Sequence, residues 1–438
     1  MKVMKFGGTS VGKPERMMQI KNLITADDES KIIVLSALSG TTNSLSEISK
    51  FLAVGDRREA KRQIDDLEKH YQNFIVQLVK DPVGYEKAKE IVDEHFEFLN
   101  IILRISFSEA LNKDILAQGE LLSTKLFSIF LTEQKVDHVW LPALDFMTID
   151  VNNEPQVGSI RVKLSQILQN NKGVKIFITQ GFICRNSKGE VDNLKRGGSD
   201  YSASLIAAAT NASVCEIWTD IDGMHNNDPR IVENTKPIRN LSFNEAAELA
   251  YFGAKILHPA SIWPAQYFNF PVKLRNTLEP MEPGTTIESE VETEGAKAIA
   301  AKDSITAIKI KSTRMLLAYG FLKKIFEVFE KYQTPIDMVT TSEVAVSLTI
   351  DNYTYLTEII KELEMYGRIM VDTDQTIVSI VGNKIANSPQ VLAKIFNSIS
   401  DIPVRMVSFG GSQHNISILV AQEHKINTLR LLNKGLFE

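Results

Sequence analysis

Met1-Lys2-Val3-Met4-Lys5-Phe6-Gly7-Gly8-Thr9-Ser10-Val11 opens the chain. Lys2 to Phe6 reads as a short strand, two glycines follow, and Pro14 suits the first turn of a helix through Met17, Ile20 and Leu23. Glycines at such a corner let backbone N–H groups approach an anion, and the helix start favours negative charge. Lys5 is placed to add a mobile positive charge. Taken alone, the same pattern also describes an ordinary strand–turn–helix corner. Gly7 to Lys13 nearly matches GxxxxGK[ST], but Pro14 stands where a P-loop needs a hydroxyl, so no P-loop is expected.

Outward from this corner, strand and helix signals alternate. Lys31 to Ser36 is a β-branched run typical of a buried parallel strand, and a helix follows from Ser44 to Leu52. Residues 57–134 are mostly helical: Ile64, Leu67, Tyr71, Phe74 and Leu78 recur at helical spacing, and Asp81-Pro82 ends that run. A second helix is expected from Tyr85 to about Leu103. A third, beginning near Gly119-Glu120, includes Leu122, Leu126 and Ile129. Alternation then returns, with strands at Val174–Thr179 and Val214–Thr219 and helices at Ser202–Thr210 and Phe243–Phe252. Thr285 to Ile287 could add an edge strand. This is an α/β pattern: an open, mostly parallel sheet with helices on both faces.

Beyond Ala296 the chain repeats itself. Lys324-Ile325-Phe326, Pro335-Ile336-Asp337-Met338-Val339 and Val344–Ile350 are echoed by Lys394-Ile395-Phe396, Pro403-Val404-Arg405-Met406-Val407 and Ile416–Val420. Each copy reads as a β-α-β-β-α-β unit of ferredoxin-like type. The second copy runs out of chain after its second helix, so its sixth strand is expected from chain preceding the first. The expected domains are 1–293, with a helical insertion at about 57–134, then 304–375, then 376–438 completed by a strand from 295–303.

Bulk composition narrows the function. Hydrophobic residues make up 44% and charged residues 24%, the balance of an ordinary globular protein. The formal net charge is −5, with no basic stripe of the kind nucleic-acid binders show. Apolar runs such as Ile32–Leu35 and Leu126–Leu131 fall far short of the roughly 20 residues of a spanning helix. The N-terminus has no apolar signal region. A cytoplasmic protein without nucleic-acid or membrane partners is expected. Cys184 and Cys215 are too few for a disulfide framework and read as buried apolar residues. The histidines are scattered, so no metal site built from protein ligands is expected.

Three further clusters bear polar chemistry. Lys195-Arg196-Gly197-Gly198-Ser199-Asp200 opens a helix; Arg196 offers a planar fork for a carboxylate, and Asp200, taken alone, reads as a cap. Trp218-Thr219-Asp220-Ile221-Asp222-Gly223 closes a buried strand, and ligands of open α/β sheets bind beyond such strand ends. Phe252-Gly253-Ala254-Lys255-Ile256-Leu257-His258-Pro259 supplies another lysine, with His258 reading as structural.

Lys-Phe-Gly-Gly-Thr-Ser-Val at the N-terminus and Gly-Gly-Ser-Asp-Tyr near the middle resemble the aspartokinases. So do Gln118-Gly119-Glu120-Leu121, Ile178-Thr179-Gln180-Gly181-Phe182 and Phe252 to Pro259. The resemblance spans nearly the whole chain. The repeats look like paired ACT domains, and Val339-Thr340-Thr341-Ser342-Glu343-Val344 is typical of the effector-binding one. The family transfers the γ-phosphoryl group of MgATP to the β-carboxylate of L-aspartate.

On the matching residues, the resemblance implies that Lys5 neutralises the transferring group and Asp200 orients it. Gly7, Gly8, Thr219, Asp220, His225, Arg230, Lys255 and Ile256 would bind ATP, with Mg2+ held mainly by ATP oxygens and water. Arg196 would grip the α-carboxylate of aspartate, Glu120 its α-ammonium and Thr42 its β-carboxylate, with Ser36, Gly198 and Ser199 also in contact. Met315, Gly320, Phe321, Leu322, Asp337, Ser342 and Glu343 would bind an amino-acid effector, and a homodimer through the ACT units is implied. The chain looks closest to the lysine-sensitive, single-function type. No later GxGxxG follows, so no fused dehydrogenase is expected.

Two departures stand out. His225 replaces the tyrosine usual in the nucleotide stretch, and Ala318 stands where a hydroxyl is often seen. The rivals are a kinase for an acylated glutamate, against which Glu120 argues, and a sensor without activity, against which Lys5, Asp200 and Lys255 argue.

Overall fold

At the centre of a parallel sheet lies Lys2–Phe6 (β1), flanked by Lys31–Leu35 (β2) and Cys215–Thr219 (β7). This computed structural model describes residues 1–194, 197–253, 257–289, 294–312 and 319–438. It divides into two compact units. The first is Met1–Met224, Arg239–Phe243 and Ile256–Ser289; the second is His225–Ile238, Asn244–Lys255 and Glu290–Glu438.

In the first unit, β1 leads to α1 (Gly8–Val11) and α2 (Pro14–Ile24), and β2 to α3 (Thr41–Ala53), α4 (Arg57–Leu78), α5 (Pro82–Ile102) and α6 (Glu109–Glu133). Then come β3 (Val139–Leu141), α7 (Ala143–Phe146), α8 (Val157–Asn170), β4 (Ile176–Gln180), β5 (Ile183–Arg185), β6 (Val191–Asn193) and α9 (Gly198–Thr210). After β7 the chain forms β8 (Asn240–Ser242), then α10 (Phe243–Tyr251), which from Asn244 on belongs to the second unit, and then α11 (Pro259–Phe268), β9 (Val272–Asn276) and β10 (Thr285–Glu288). The sheet order is β3-β4-β2-β1-β7-β9-β10-β8, parallel throughout except for β9 with β10.

β2 and β4 are buried along their whole length, as a parallel strand covered on both faces requires. The two-residue period of β1 sends Met4 and Phe6 into a core shared with α2 to α6. The opposite face of the sheet takes α9, on which α8 and α11 pack. Phe6 pairs with Leu35 and Trp218, and Leu35 with Gln180, so the carboxyl ends of the central strands finish side by side. Cys184 and Cys215 are free and buried.

Several elements depart from the sequence reading. α6 begins at Glu109, ten residues before Gly119, because the Ser108 hydroxyl caps it by accepting from Leu111 N at 3.2 Å. β10 is not the edge strand: β8 pairs outside it. The compact units interleave along the chain: residues 225–238 and 244–253 pack with the C-terminal half. Asn227 Nδ2 donates to Leu429 O at 3.1 Å, Ile299 N donates to Asn226 O at 2.9 Å, and Lys297 pairs with Glu245 at 2.9 Å.

The second unit is built on two long strands, β11 (Gly295–Lys311) and β14 (Arg368–Asn383). Between them lie α12 (Phe321–Lys331), β12 (Val339–Thr341), β13 (Ala345–Ile350) and α13 (Leu356–Leu363). After them come α14 (Pro389–Ser398), β15 (Met406–Ser408), β16 (Asn415–Ala421) and α15 (Lys425–Phe437). The antiparallel order is β12-β13-β11-β14-β16-β15. The second half of β11 lies between β13 and the first half of β14, giving one β-α-β-β-α-β unit. The first half of β11 pairs with the second half of β14, which in turn pairs with β16, giving the other. Among the described residues, no helix is long and apolar enough to cross a membrane.

At Gly382 of β14 an added Cβ would lie 2.0 Å from Gly295 O of β11. Gly382→Ala is expected to destabilise the protein by about 1–3 kcal/mol, the usual range for overpacking. Chemical denaturation of wild type and variant measures it, and equal stability would show that the strands can shift apart freely.

Candidate active site

Because Met4 and Phe6 point into the core, Lys5 points to the α9 face. There its ammonium meets Asp200 at 2.6 Å, with both side chains mostly buried, at 12% and 16% exposure. The α9 helix is capped by Gly197, whose φ of +75° is left-handed, and Asp200 sits in its first turn. Asp200 is thus not the cap but the partner of Lys5. Gly7 N donates to Trp218 O at 3.2 Å, so Gly7 offers an incoming group space and not a free donor. Gly8 opens α1.

Beside this pair is a cavity of about 440 Å³. Gly8, Ser36, Thr42, Glu120, Gly198 and Ser199 all line it. The Ser36 hydroxyl donates to Ser199 Oγ at 2.9 Å, joining the end of β2 to the start of α9. Thr42 enters from the first turn of α3. Glu120 arrives on α6 because residue 119 is glycine: a Cβ there would lie 2.8 Å from Ala37 Cβ and 3.3 Å from Thr41 Cγ2. With that approach, Glu120 Oε1 accepts from Ala37 N at 3.4 Å, while Oε2 is buried without a hydrogen-bond partner. The Glu120 side chain is 3% exposed, and burial pushes its carboxyl pKa up to about 8. An unpaired carboxylate oxygen facing a cavity is suited to a cation.

Asn43 and Phe182 also line the cavity, and the sequence analysis did not single out either as a site residue. Phe182 holds φ at +65°, with its N–H donated to Ser202 Oγ at 2.8 Å. Its one signal in the sequence was its place after Gly181 in the quoted Ile-Thr-Gln-Gly-Phe segment.

Thr219 and Asp220 follow Trp218 at the carboxyl end of β7, next to Gly7, and Asp220 N donates to Thr219 Oγ1 at 2.6 Å. His225 and Arg230 belong to the second unit. His225 Nδ1 lies 2.9 Å from Thr235 Oγ1. Arg230 is engaged bidentately by Asp228, at 2.9 and 2.7 Å. His258 caps α11, its Nδ1 accepting from Ala260 N at 3.1 Å, the structural role read for it. Arg196, Lys255, Ile256 and Met315 lie outside the described residues.

The other effector candidates also lie in the second unit. Gly320 caps α12 with φ +77°, followed by a nearly buried Phe321 and a more exposed Leu322. Ser342 and Glu343 form the turn between β12 and β13, where Ser342 N donates to Ala345 O at 2.8 Å. Asp337 is the most constrained of the set. Its Oδ1 takes Lys302 Nζ at 2.7 Å and the Tyr251 hydroxyl at 2.8 Å, while Oδ2 is buried without a hydrogen-bond partner.

The model of the amino acid kinase family matches residues 1–276, and an ACT domain model matches residues 378–436. The lysine-sensitive aspartokinase 3 of Escherichia coli (strain K12) is 33% identical over 450 aligned residues, covering 100% of this chain and 99% of that protein. The structure of E. coli aspartokinase III in complex with aspartate and ADP (R-state) covers all of both chains at 31% identity, with a TM-score of 0.87. The same enzyme in complex with lysine and aspartate (T-state) superposes with a TM-score of 0.83. Lys5 and Asp200, the cavity beside them and the paired C-terminal units thus sit in a fold shared over its full length. The chain belongs to the amino acid kinase family and, within it, to the aspartokinases.

Proposed function

We propose that this enzyme transfers the γ-phosphoryl group of ATP to the β-carboxylate of L-aspartate, giving 4-phospho-L-aspartate. The observation that carries the reading is Glu120. Its buried, half-paired carboxyl group lines a cavity whose other polar groups are hydroxyls, the Asn43 amide and helix starts. That arrangement fits a small amino acid with a free α-ammonium at one end and an anion at the other.

In the reaction, a β-carboxylate oxygen bonds to the γ-phosphorus as the bond to the ADP oxygen breaks. No proton has to move. The barrier is the meeting of two anions, so positioning and neutralisation of charge are the protein's work. Lys5 supplies positive charge at the transferring group, and Asp200 holds its ammonium in place. Glu120 binds the α-ammonium and Arg196 the α-carboxylate. Thr42, with Ser36, Gly198 and Ser199 beside it, receives the β-carboxylate. Gly7, Gly8, Thr219, Asp220, His225, Arg230, Lys255 and Ile256 form the nucleotide side. ATP enters as its magnesium complex, with the cation on phosphate oxygens and water.

Lysine is the proposed inhibitor, since the E. coli relative is lysine-sensitive and was solved with lysine. The unpartnered Asp337 Oδ2 supports an ammonium at that point, with Met315, Gly320, Phe321, Leu322, Ser342 and Glu343 as the remaining contacts. To inhibit, lysine must favour one global state over the other. The domains proposed are the kinase part in 1–293, one ACT unit in 304–375 and another in 376–438 with a strand from 295–303. The enzyme is further proposed to be cytoplasmic, where ATP is supplied. It is proposed to be a homodimer through the ACT units, consistent with the exposed edge strand β12 and its Val339.

Incubation with MgATP and L-aspartate, with hydroxylamine trapping, should give aspartate-dependent hydroxamate that lysine suppresses. Lys5→Met should lower the rate by about 10²–10³-fold, the scale of removing one group that neutralises developing charge. Failure to form hydroxamate from aspartate, in protein that binds ATP, overturns the substrate. Suppression by threonine and not lysine overturns the effector.

A pH dependence follows from Glu120. In the free protein its carboxyl stays protonated up to about pH 8. An incoming ammonium favours the ionised form, so aspartate binding at pH 7 should release a proton. The apparent KM for aspartate should rise as pH falls from 8 to 6, by up to about tenfold per unit, while the KM for ATP stays level. Calorimetry in buffers of different ionisation enthalpy measures the proton directly. Glu120→Gln should remove it; unchanged proton release in that variant would assign the effect to another group.

A further inference from the structure

The cavity wall formed by the start of α3 lacks the usual means of holding a helix start in place. Its cap position is Gly40, with φ +86° and no side chain to bond the first turn. Yet Gly40, Thr42 and Asn43 all line the cavity, and the backbone N–H groups of a first turn have no partners inside their own helix. Any sideways drift of this turn would move the groups that receive the acceptor carboxylate.

Thr41, the residue between Gly40 and Thr42, does not line the cavity and turns the other way. It is buried, and its Oγ1 lies 3.0 Å from the hydroxyl of Tyr71 in the middle of α4. Its methyl group faces Gly119, the residue before Glu120, where a Cβ would come within 3.3 Å. Tyr71 is wholly buried and packs its ring against Phe96 of α5, with centroids 5.8 Å apart. Burial raises its pKa, so the hydroxyl keeps its proton at any working pH. A rigid, neutral hydroxyl rooted in the α4–α5 pair thus bonds a side chain of the α3 start that faces away from the cavity.

The geometry points to Tyr71 as a positioning residue of the reaction: its bond to Thr41 fixes the first turn of α3 so that Thr42 and Asn43 present themselves to the acceptor carboxylate. This rests on the reading of the cavity as the aspartate site. It assigns a role in that site to the helical insertion, from which the resemblance took no site residue before Glu120. Tyr71 does not line the cavity, so its effect on the aspartate side passes through Thr41.

Steady-state kinetics of the full chain tests this with Tyr71→Phe, Thr41→Val, their double variant and Thr41→Ser. Tyr71→Phe and Thr41→Val should each lower kcat/KM for aspartate by about 5–30-fold, the scale of one buried hydrogen bond. The KM for ATP should stay within twofold. The double variant should be no worse than the poorer single, because both remove the same bond. Thr41→Ser, which keeps the hydroxyl, should recover most of what Thr41→Val loses. A rise in the KM for ATP as large as that for aspartate, additive losses in the double variant, or no recovery with serine would each overturn the proposal in favour of general destabilisation. If Tyr71→Phe fails to fold, the comparison of Thr41→Val with Thr41→Ser still decides. Wild-type turnover with aspartate, measured first, separates failure of this role from failure of the substrate assignment.

Discussion

Everything in the catalytic half turns on a charged side chain placed where a parallel strand would otherwise bury an apolar one. Lys5 lies on the central strand, paired on both sides, and its neighbours Met4 and Phe6 occupy the core. A lysine there is tolerated because Asp200 meets it at 2.6 Å from the first turn of α9. That turn is brought in by two left-handed glycines, 197 and 198, and by the Ser36–Ser199 hydroxyl bond. The substrate cavity is the space left between these pieces and α6. Take away the ion pair and the fold keeps its sheet, but the lysine has no fixed direction.

How much of this could be read from the chain depends on whether the cause is local. The strand at Lys2–Phe6 and the glycine turn were legible because two-residue alternation and left-handed backbone leave direct marks in the sequence. So were the duplicated C-terminal units, whose Pro-x-x-Met-Val segments recur in matching order. The start of α6 was misread because Ser108 caps it with one hydroxyl, a weak signal beside the obvious glycine at 119. Asn43 left no mark, and Phe182 only its place after Gly181, because tertiary packing is what brings them to the cavity. Residues 225–238 fall within the stretch that the kinase-family model matches, while the bonds from Asn227 to Leu429 and Ile299 to Asn226 pack them with the C-terminal unit. Sequence adjacency contains no information about such a choice. The role of Glu120 came from resemblance alone, since a lone carboxylate in a helix has no distinguishing pattern, whereas the fork of Arg196 beside two glycines already suggested a carboxylate.

Within the second unit, Asp337 joins three parts of the chain. It accepts from Tyr251 at the end of α10, pairs with Lys302 on β11, and sits just before β12. Lys302 also reaches Asp351 at 2.9 Å and lies over the Tyr251 ring, 4.6 Å from its centroid. Burial first, then the Asp337 charge, lifts the Tyr251 phenol pKa to about 12, so it remains a donor. A cation added at Asp337 would therefore meet a site already furnished with one ammonium, and the balance among three carboxylate–cation contacts would shift. In that sense the proposed regulatory residue is an exchange point and not an empty socket.

The shared strands have a consequence for how the protein is made. The first half of β11 leaves the ribosome well before its partner exists: Ala296 must wait for Gly382. Until then it is an unpaired strand edge, the kind of surface on which nascent chains stick to one another. Residues 298–300 of this strand are apolar and buried once paired, so the hazard lasts during synthesis until β14 is made. Pairing of this segment is thus tied to synthesis of β14, and a polypeptide cut short before that strand would expose an early segment rather than a late one.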